Sequence, residues 1–141
     1  MHVFFTGRDL GKRFPEMLAG SGLKVERHAN LFPPDGPDTQ WLEYCGRNDR
    51  VAITHNERIR YTPNELEAVV RHGVRLLVVV GKVPLPVLAR NFVATLPRIS
   101  DFIEKAAPPY IAKVYRPIPS EQARHSYPLM GTIKQWYPAS A

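Results

Sequence analysis

Apolar positions recur in two rhythms along this chain. Short apolar runs stop abruptly at polar residues, as buried parallel strands do, and between them apolar residues return every three or four positions. His2 to Phe5 reads as a first buried strand, broken by Thr6-Gly7-Arg8-Asp9. Leu10, Phe14, Met17 and Leu18 follow at helical spacing, and Gly20-Ser21-Gly22 ends that helix. Leu23 to His28 alternates apolar and charged residues, which predicts a second, more exposed strand. Leu31 to Asp38 is a rigid loop with three prolines. It leads to a helix with Asp38 as N-cap and Trp41, Leu42 and Cys45 on one face.

The run Val51-Ala52-Ile53 predicts a central strand, and it ends in Thr54-His55-Asn56-Glu57-Arg58-Ile59-Arg60. Thr62-Pro63-Asn64-Glu65 marks a helix start, and that helix carries Leu66, Val69 and Val70 and stops at Gly73. Val74 to Val80 is a strongly apolar strand with Gly81-Lys82 at its carboxyl end. A long amphipathic helix from Leu85 to Ile103, bent near Pro97, precedes a last strand, Tyr110 to Tyr115. From Arg116 onward, prolines and scattered aromatics predict an extended tail, its end pinned to the domain or to a partner by Trp136 and Tyr137. The order βαβαβαβαβ argues for one α/β domain, a parallel sheet with helices on both faces.

Composition narrows the class without changing that picture. A chain of 141 residues, 44% hydrophobic and 23% charged, has the make-up of a soluble globular domain. No apolar run approaches membrane-spanning length and no basic leader precedes the first strand, so a cytoplasmic protein without membrane contact is expected. Nineteen Lys and Arg against thirteen Asp and Glu give a charge of +6, which favours a polyanionic partner, nucleic acid or an acidic protein. The single Cys45 allows neither an internal disulfide nor a cysteine zinc cluster, and its place in an amphipathic run predicts a buried thiol.

Candidate chemistry gathers where strands end, because loops at the carboxyl edge of an open α/β sheet converge on a crevice. There is no phosphate-loop spacing, dinucleotide fingerprint or nucleophile turn, and no histidine pair at metal-ligand spacing. What remains is a set of oxygen-bearing side chains: Thr6 and Asp9, Asp35 and Asp38, and Thr54, Asn56 and Glu57. Such a set suits a hard cation, Mg²⁺ or Mn²⁺. With Arg58, Arg60 and Lys82 alongside to hold a backbone, the substrate would be a phosphodiester.

The arrangement resembles the PIN-like nucleases, in particular the VapC-type toxin subgroup. The residues carrying it are Phe5-Thr6-Gly7-Arg8-Asp9-Leu10-Gly11-Lys12, Pro33 to Asp38 with Trp41-Leu42, Ile53 to Arg60, Leu77 to Lys82, and Tyr110 to Pro117. The resemblance implies a PIN-like three-layer α/β/α sandwich over residues 1–117, with 118–141 as a Pro-rich C-terminal tail. It implies a Mg²⁺- or Mn²⁺-dependent endoribonuclease, a phosphodiester hydrolase acting as the toxin of a toxin–antitoxin pair. RNA and a cognate antitoxin are then partners, and paired PIN-like domains add a homodimer. Asp38 would bind metal, Asp9 and Asn56 would be weaker ligands, and Thr54 would orient a ligand or the attacking water. Arg58, Arg60 and Lys82 would contact phosphate.

Two positions depart from the family pattern: Gly7 stands where an aspartate follows the first strand, and Asn56 where another follows the central strand. Three readings follow. The chain is a weakened nuclease that recruits Asp9 or Glu57, or a binding module that has lost catalysis and kept RNA or antitoxin binding, or a nuclease inactivated by substitution at Gly7. A phosphoacceptor receiver domain has a similar element order, but it needs an aspartate where Asn56 stands.

Overall fold

Adjacent residues of the inner strands face opposite layers, and each layer has its own core. The computed structural model describes residues 2–139. Its six strands are β1 (Val3–Thr6), β2 (Lys24–Arg27), β3 (Arg50–Thr54), β4 (Arg75–Val79), β5 (Tyr110–Tyr115) and β6 (Thr132–Tyr137). Phe4, Val51, Ile53, Leu77 and Val79 lie in one buried cluster; Phe5, Ala52, Leu76 and Val78 lie in another. Strands covered on both faces need no polar alternation, which is why they appear as continuous apolar runs.

The helices are α1 (Arg13–Gly20), α2 (His28–Leu31), α3 (Asp38–Arg47), α4 (Pro63–His72), α5 (Leu85–Lys105) and α6 (Pro119–Gln122). Phe14 and Leu18 of α1 join Leu88, Phe92, Ile99 and Ile103 of α5 over the first cluster. Trp41, Leu42 and Cys45 of α3 join Ala68 and Val69 of α4 over the second. The result is a three-layer α/β/α sandwich on a mostly parallel sheet, as expected. Burial pushes the Cys45 thiol well above its usual range, so it is a core residue. No helix among the described residues is long and apolar enough to cross a membrane.

Strand order is β2-β1-β3-β4-β5-β6. The first five strands are parallel, so their carboxyl ends share one edge of the sheet. The chain leaves β1 towards β2 on one side and returns to β3 on the other, which opens a crevice between the ends of β1 and β3.

Two local expectations change. The segment after Arg116 is not simply extended: it makes α6 and then β6, antiparallel to β5 with Val114 opposite Ile133. Asp38 is the first residue of α3 rather than its N-cap, a place taken by Pro37, and its carboxylate is used elsewhere. The expected long helix is there as α5, with Pro97 inside it and its apolar face buried along most of its length.

Candidate active site at the ends of β1 and β3

Residues 7–9 leave β1 and residues 54–56 leave β3, and Asp38 opens α3 beside them. Apart from His55, and together with Trp41, they line a cavity of about 130 Å³. The sequence expectation thus brings Gly7, Asp9, Asp38, Thr54 and Asn56 together. Glu57, Arg58, Arg60 and Lys82 do not line the cavity.

Asp9 is held from the β3 side. Its Oδ2 accepts a hydrogen bond from Thr54 Oγ1 at 2.9 Å and from the His55 backbone N–H at 2.7 Å. Thr54, 2% exposed, also accepts the Asn56 N–H at 3.2 Å, so its hydroxyl is fixed between Asp9 and the next turn. Gly7 completes the fit. A Cβ on Gly7 would stand 2.8 Å from Asp9 Oδ1, so the Asp9 carboxylate occupies the space of the missing Gly7 side chain.

Asp38 is held by a cation. Arg8 Nη2 donates to Asp38 Oδ1 at 3.0 Å, and Trp41 Nε1 donates to the same oxygen at 2.9 Å. Arg8 Nη1 also donates to the carbonyl of Gly36, at 2.9 Å, and to that of Pro34. The guanidinium therefore ties the β1 end to the prolyl loop and to α3. Burial by itself would raise the Asp38 carboxyl, but hydrogen bonds from Glu65 and Trp41, with the Arg8 charge, hold it below its ordinary range. Its neighbour moves the other way: burial, then the hydrogen bond to Asp38, lifts Glu65 to about 7. The two side chains meet where α3 packs on α4. That contact is close because Gly46 has no side chain; a Cβ there would stand 2.3 Å from the His72 carbonyl oxygen.

Glu65, Arg8 and His28 are site residues that pattern reading missed. Glu65 shows in the sequence only as a helix-start residue, since nothing local pairs positions 38 and 65. Arg8 carried a signal, a basic residue beside the absent acid at Gly7. His28 is 2% exposed at the start of α2, with no hydrogen-bond partner for Nδ1. Burial and then the Arg8 charge lower its pKa, against the pull of Asp38 and Asp9.

The basic residues divide. Arg58 is exposed beside the cavity, and its backbone N–H is capped by Asn56 Oδ1 at 3.1 Å. Lys82 is exposed beyond β4. Arg60 instead faces aromatic rings: its guanidinium carbon lies 5.3 Å from the Tyr61 ring centroid, 5.4 Å from Trp136 and 5.3 Å from Tyr137. Its expected phosphate contact gives way to a cation–π clamp on β6. Glu57 pairs with Lys113 Nζ at 3.1 Å and so leaves the site.

A hard divalent cation needs several free, charged oxygens. Here Asp9 Oδ2, Asp38 Oδ1 and Asn56 Oδ1 are all spent on internal donors, and a guanidinium already neutralises Asp38. Among the described residues, no group of three or more His, Cys, Asp or Glu side chains is placed to share a metal ion. The Arg8 charge beside Asp38 opposes a bound Mg²⁺ or Mn²⁺, while Asp9 Oδ1 carries no internal donor among the described residues, so the ligand set of Asp38, Asp9 and Asn56 stays an expectation. The cation in the cavity, Arg8, is committed to Pro34, Gly36 and Asp38, which leaves the exposed Arg58 beside it to meet a phosphate.

No curated protein and no solved structure matches this chain. Residues 1–81, from β1 through the strand β4 and its following turn, match the family model described as "PIN like domain". That span is more than half of the sequence and contains every residue of the cavity. The chain belongs to the PIN-like domain family, whose fold is of nuclease type.

Proposed function

We propose that this chain acts on RNA as a PIN-like protein of the VapC-type toxin subgroup, and that it holds RNA through its own cations. The observation that carries this reading is Arg8, whose guanidinium stands among the acidic residues where a metal-dependent nuclease needs a bound cation. Arg58 and Lys82 are exposed near the same edge of the sheet and meet the backbone phosphates. Asp38 positions Arg8, and Asp9 with Thr54 ties the loop after β1 to the end of β3. In the cell the partner is a cognate antitoxin whose acidic segment covers this basic rim, and binding to RNA and to antitoxin exclude one another.

Metal-dependent endoribonuclease activity is the second reading. One observation favours it: Asp9 lines the cavity, and Glu65 lies against Asp38 at its side, so three carboxyls remain near the crevice. One experiment separates the two. Single-stranded RNA is incubated with the full chain in EDTA, in Mg²⁺ and in Mn²⁺, and both retention and cleavage are read. Equal retention in EDTA and Mg²⁺ without metal-dependent cleavage is expected. Cleavage that appears with Mn²⁺ and stops with EDTA would overturn the first reading in favour of the second.

A further inference from the structure

The carboxyl edge of the sheet continues past the β1–β3 crevice to β4 and β5, and a second polar cavity lies there. It measures about 180 Å³ and sits between the first turns of α5, the end of β5 and the loop after α6. Arg90 and Asn91 come from α5, Arg116 from the end of β5, and Tyr127 from the loop. The volume is below that of pockets for drug-sized ligands, and fits one base or one phosphoryl group.

Its chemistry is specific. Among the described residues neither Arg90 nor Arg116 has a carboxylate partner. Asn91 is 8% exposed, and its Oδ1 has no hydrogen-bond partner, while its amide nitrogen reaches the Tyr115 carbonyl at 3.5 Å. A buried acceptor without a donor is costly, and a ligand N–H would satisfy it. Tyr127 is 59% exposed, with its ring tilted against His125 and a centroid distance of 5.1 Å. Two free guanidinium groups, an open aromatic face and a buried acceptor are the donors and surfaces by which proteins hold single-stranded nucleotides.

The cavity is also joined to the first site. His55, whose N–H binds Asp9, places its ring Nε2 3.0 Å from the Gly81 carbonyl. The Arg116 stem lies on that same glycine, where a Cβ would stand 2.8 Å from Arg116 Cδ. From the end of β1 to that of β5 is three strand spacings, roughly 14 Å, a short stretch of extended RNA.

We infer that this second cavity is a nucleotide subsite. Arg90 and Arg116 hold a backbone phosphate, and the base enters against Tyr127 and donates an N–H to Asn91 Oδ1. This rests on the RNA reading above and adds to it the place where a base is read. An acidic peptide would use the guanidinium pair but neither the aromatic face nor the buried acceptor.

The test uses the full chain with the four nucleoside 5′-monophosphates, inorganic phosphate and a Glu-rich peptide, followed by titration calorimetry. Monophosphates should bind more tightly than phosphate, with one base preferred. Tyr127→Ala should weaken them about tenfold, as for one lost base–aromatic stack. Arg90→Ala should weaken all four alike, and Asn91→Leu should flatten the base preference. Arg90 and Tyr127 are exposed, so their variants keep the test sharp even if Asn91→Leu unfolds. Phosphate or the peptide binding as tightly as the nucleotides would overturn the subsite, and so would the absence of binding by any of them. If RNA retention falls with Arg58→Ala but withstands Arg90→Ala and Tyr127→Ala, the subsite is wrong and the RNA reading stands. If monophosphates bind here while the chain retains no RNA, the subsite stands and the RNA reading fails.

Discussion

A single guanidinium decides the chemistry of the first cavity. Arg8 neutralises Asp38 and ties it to the prolyl loop, at an exposure where an ion pair contributes no more than about 1 kcal/mol. Arg8→Ala should therefore cost little stability and leave the Asp38 charge without a counter-ion. Mn²⁺ is expected to raise the melting temperature of that variant and leave the parent unchanged; a rise in the parent would remove the case for a built-in cation. Gly7→Asp asks the opposite question. Its Cβ meets Asp9 Oδ1 at 2.8 Å and sets two carboxylates together, so the variant should lose about 1–3 kcal/mol in denaturant unfolding. Adding Asp9→Ala should recover much of that loss. Glu65 titrates at about 7 in the fold against an ordinary 4.5, so between those values the folded state keeps a proton that the unfolded chain has lost. Stability from this group falls as pH rises through that window. His28, lowered by burial, acts with the opposite sign, so the comparison that isolates Glu65 is parent against Glu65→Gln. The parent's melting temperature should decline more steeply from pH 5 to 7.5 than the variant's.

At the scale of elements, β6 is fastened by side chains from the site's own loop. Arg60 leaves the turn after β3 and lies against Trp136 and Tyr137, while Lys113 of β5 stands 3.8 Å from the Trp136 centroid. Arg60→Ala should cost about 1–2 kcal/mol and speed hydrogen exchange along β6, with RNA affinity unchanged. Arg58→Ala should do the reverse: no change in melting, weaker RNA binding, and a salt slope reduced by about one. Two arginines two positions apart thus have separate jobs. Their spacing in the sequence does not tell them apart, because two of the rings that capture Arg60, Trp136 and Tyr137, lie more than seventy residues further on.

For the whole molecule, a charge of +6 and a cationic edge on a parallel sheet make binding a matter of ionic strength. RNA affinity is expected to fall steeply with salt, and a flat response in filter binding from about 50 to 200 mM would remove the polyanion reading.

Periodicity alone determined most of the architecture. Each buried parallel strand must be apolar on both faces and each covering helix on one, so β1, β3, β4, β5 and the helices between them are visible in local pattern. The crevice was legible too, because the apolar runs end in polar residues at Gly7 to Asp9 and Thr54 to Asn56. Only the tertiary structure decided what those residues do. Asp38 meets Glu65 from another helix, Arg8 reaches Asp38 thirty positions away, and Asp9 fills the space left by Gly7. These are contacts between elements, set by how layers pack and by which side chains arrive first at each oxygen. A chain's local rhythm carries no record of them, so it named the oxygens at the crevice and not the donors that each one meets in the fold.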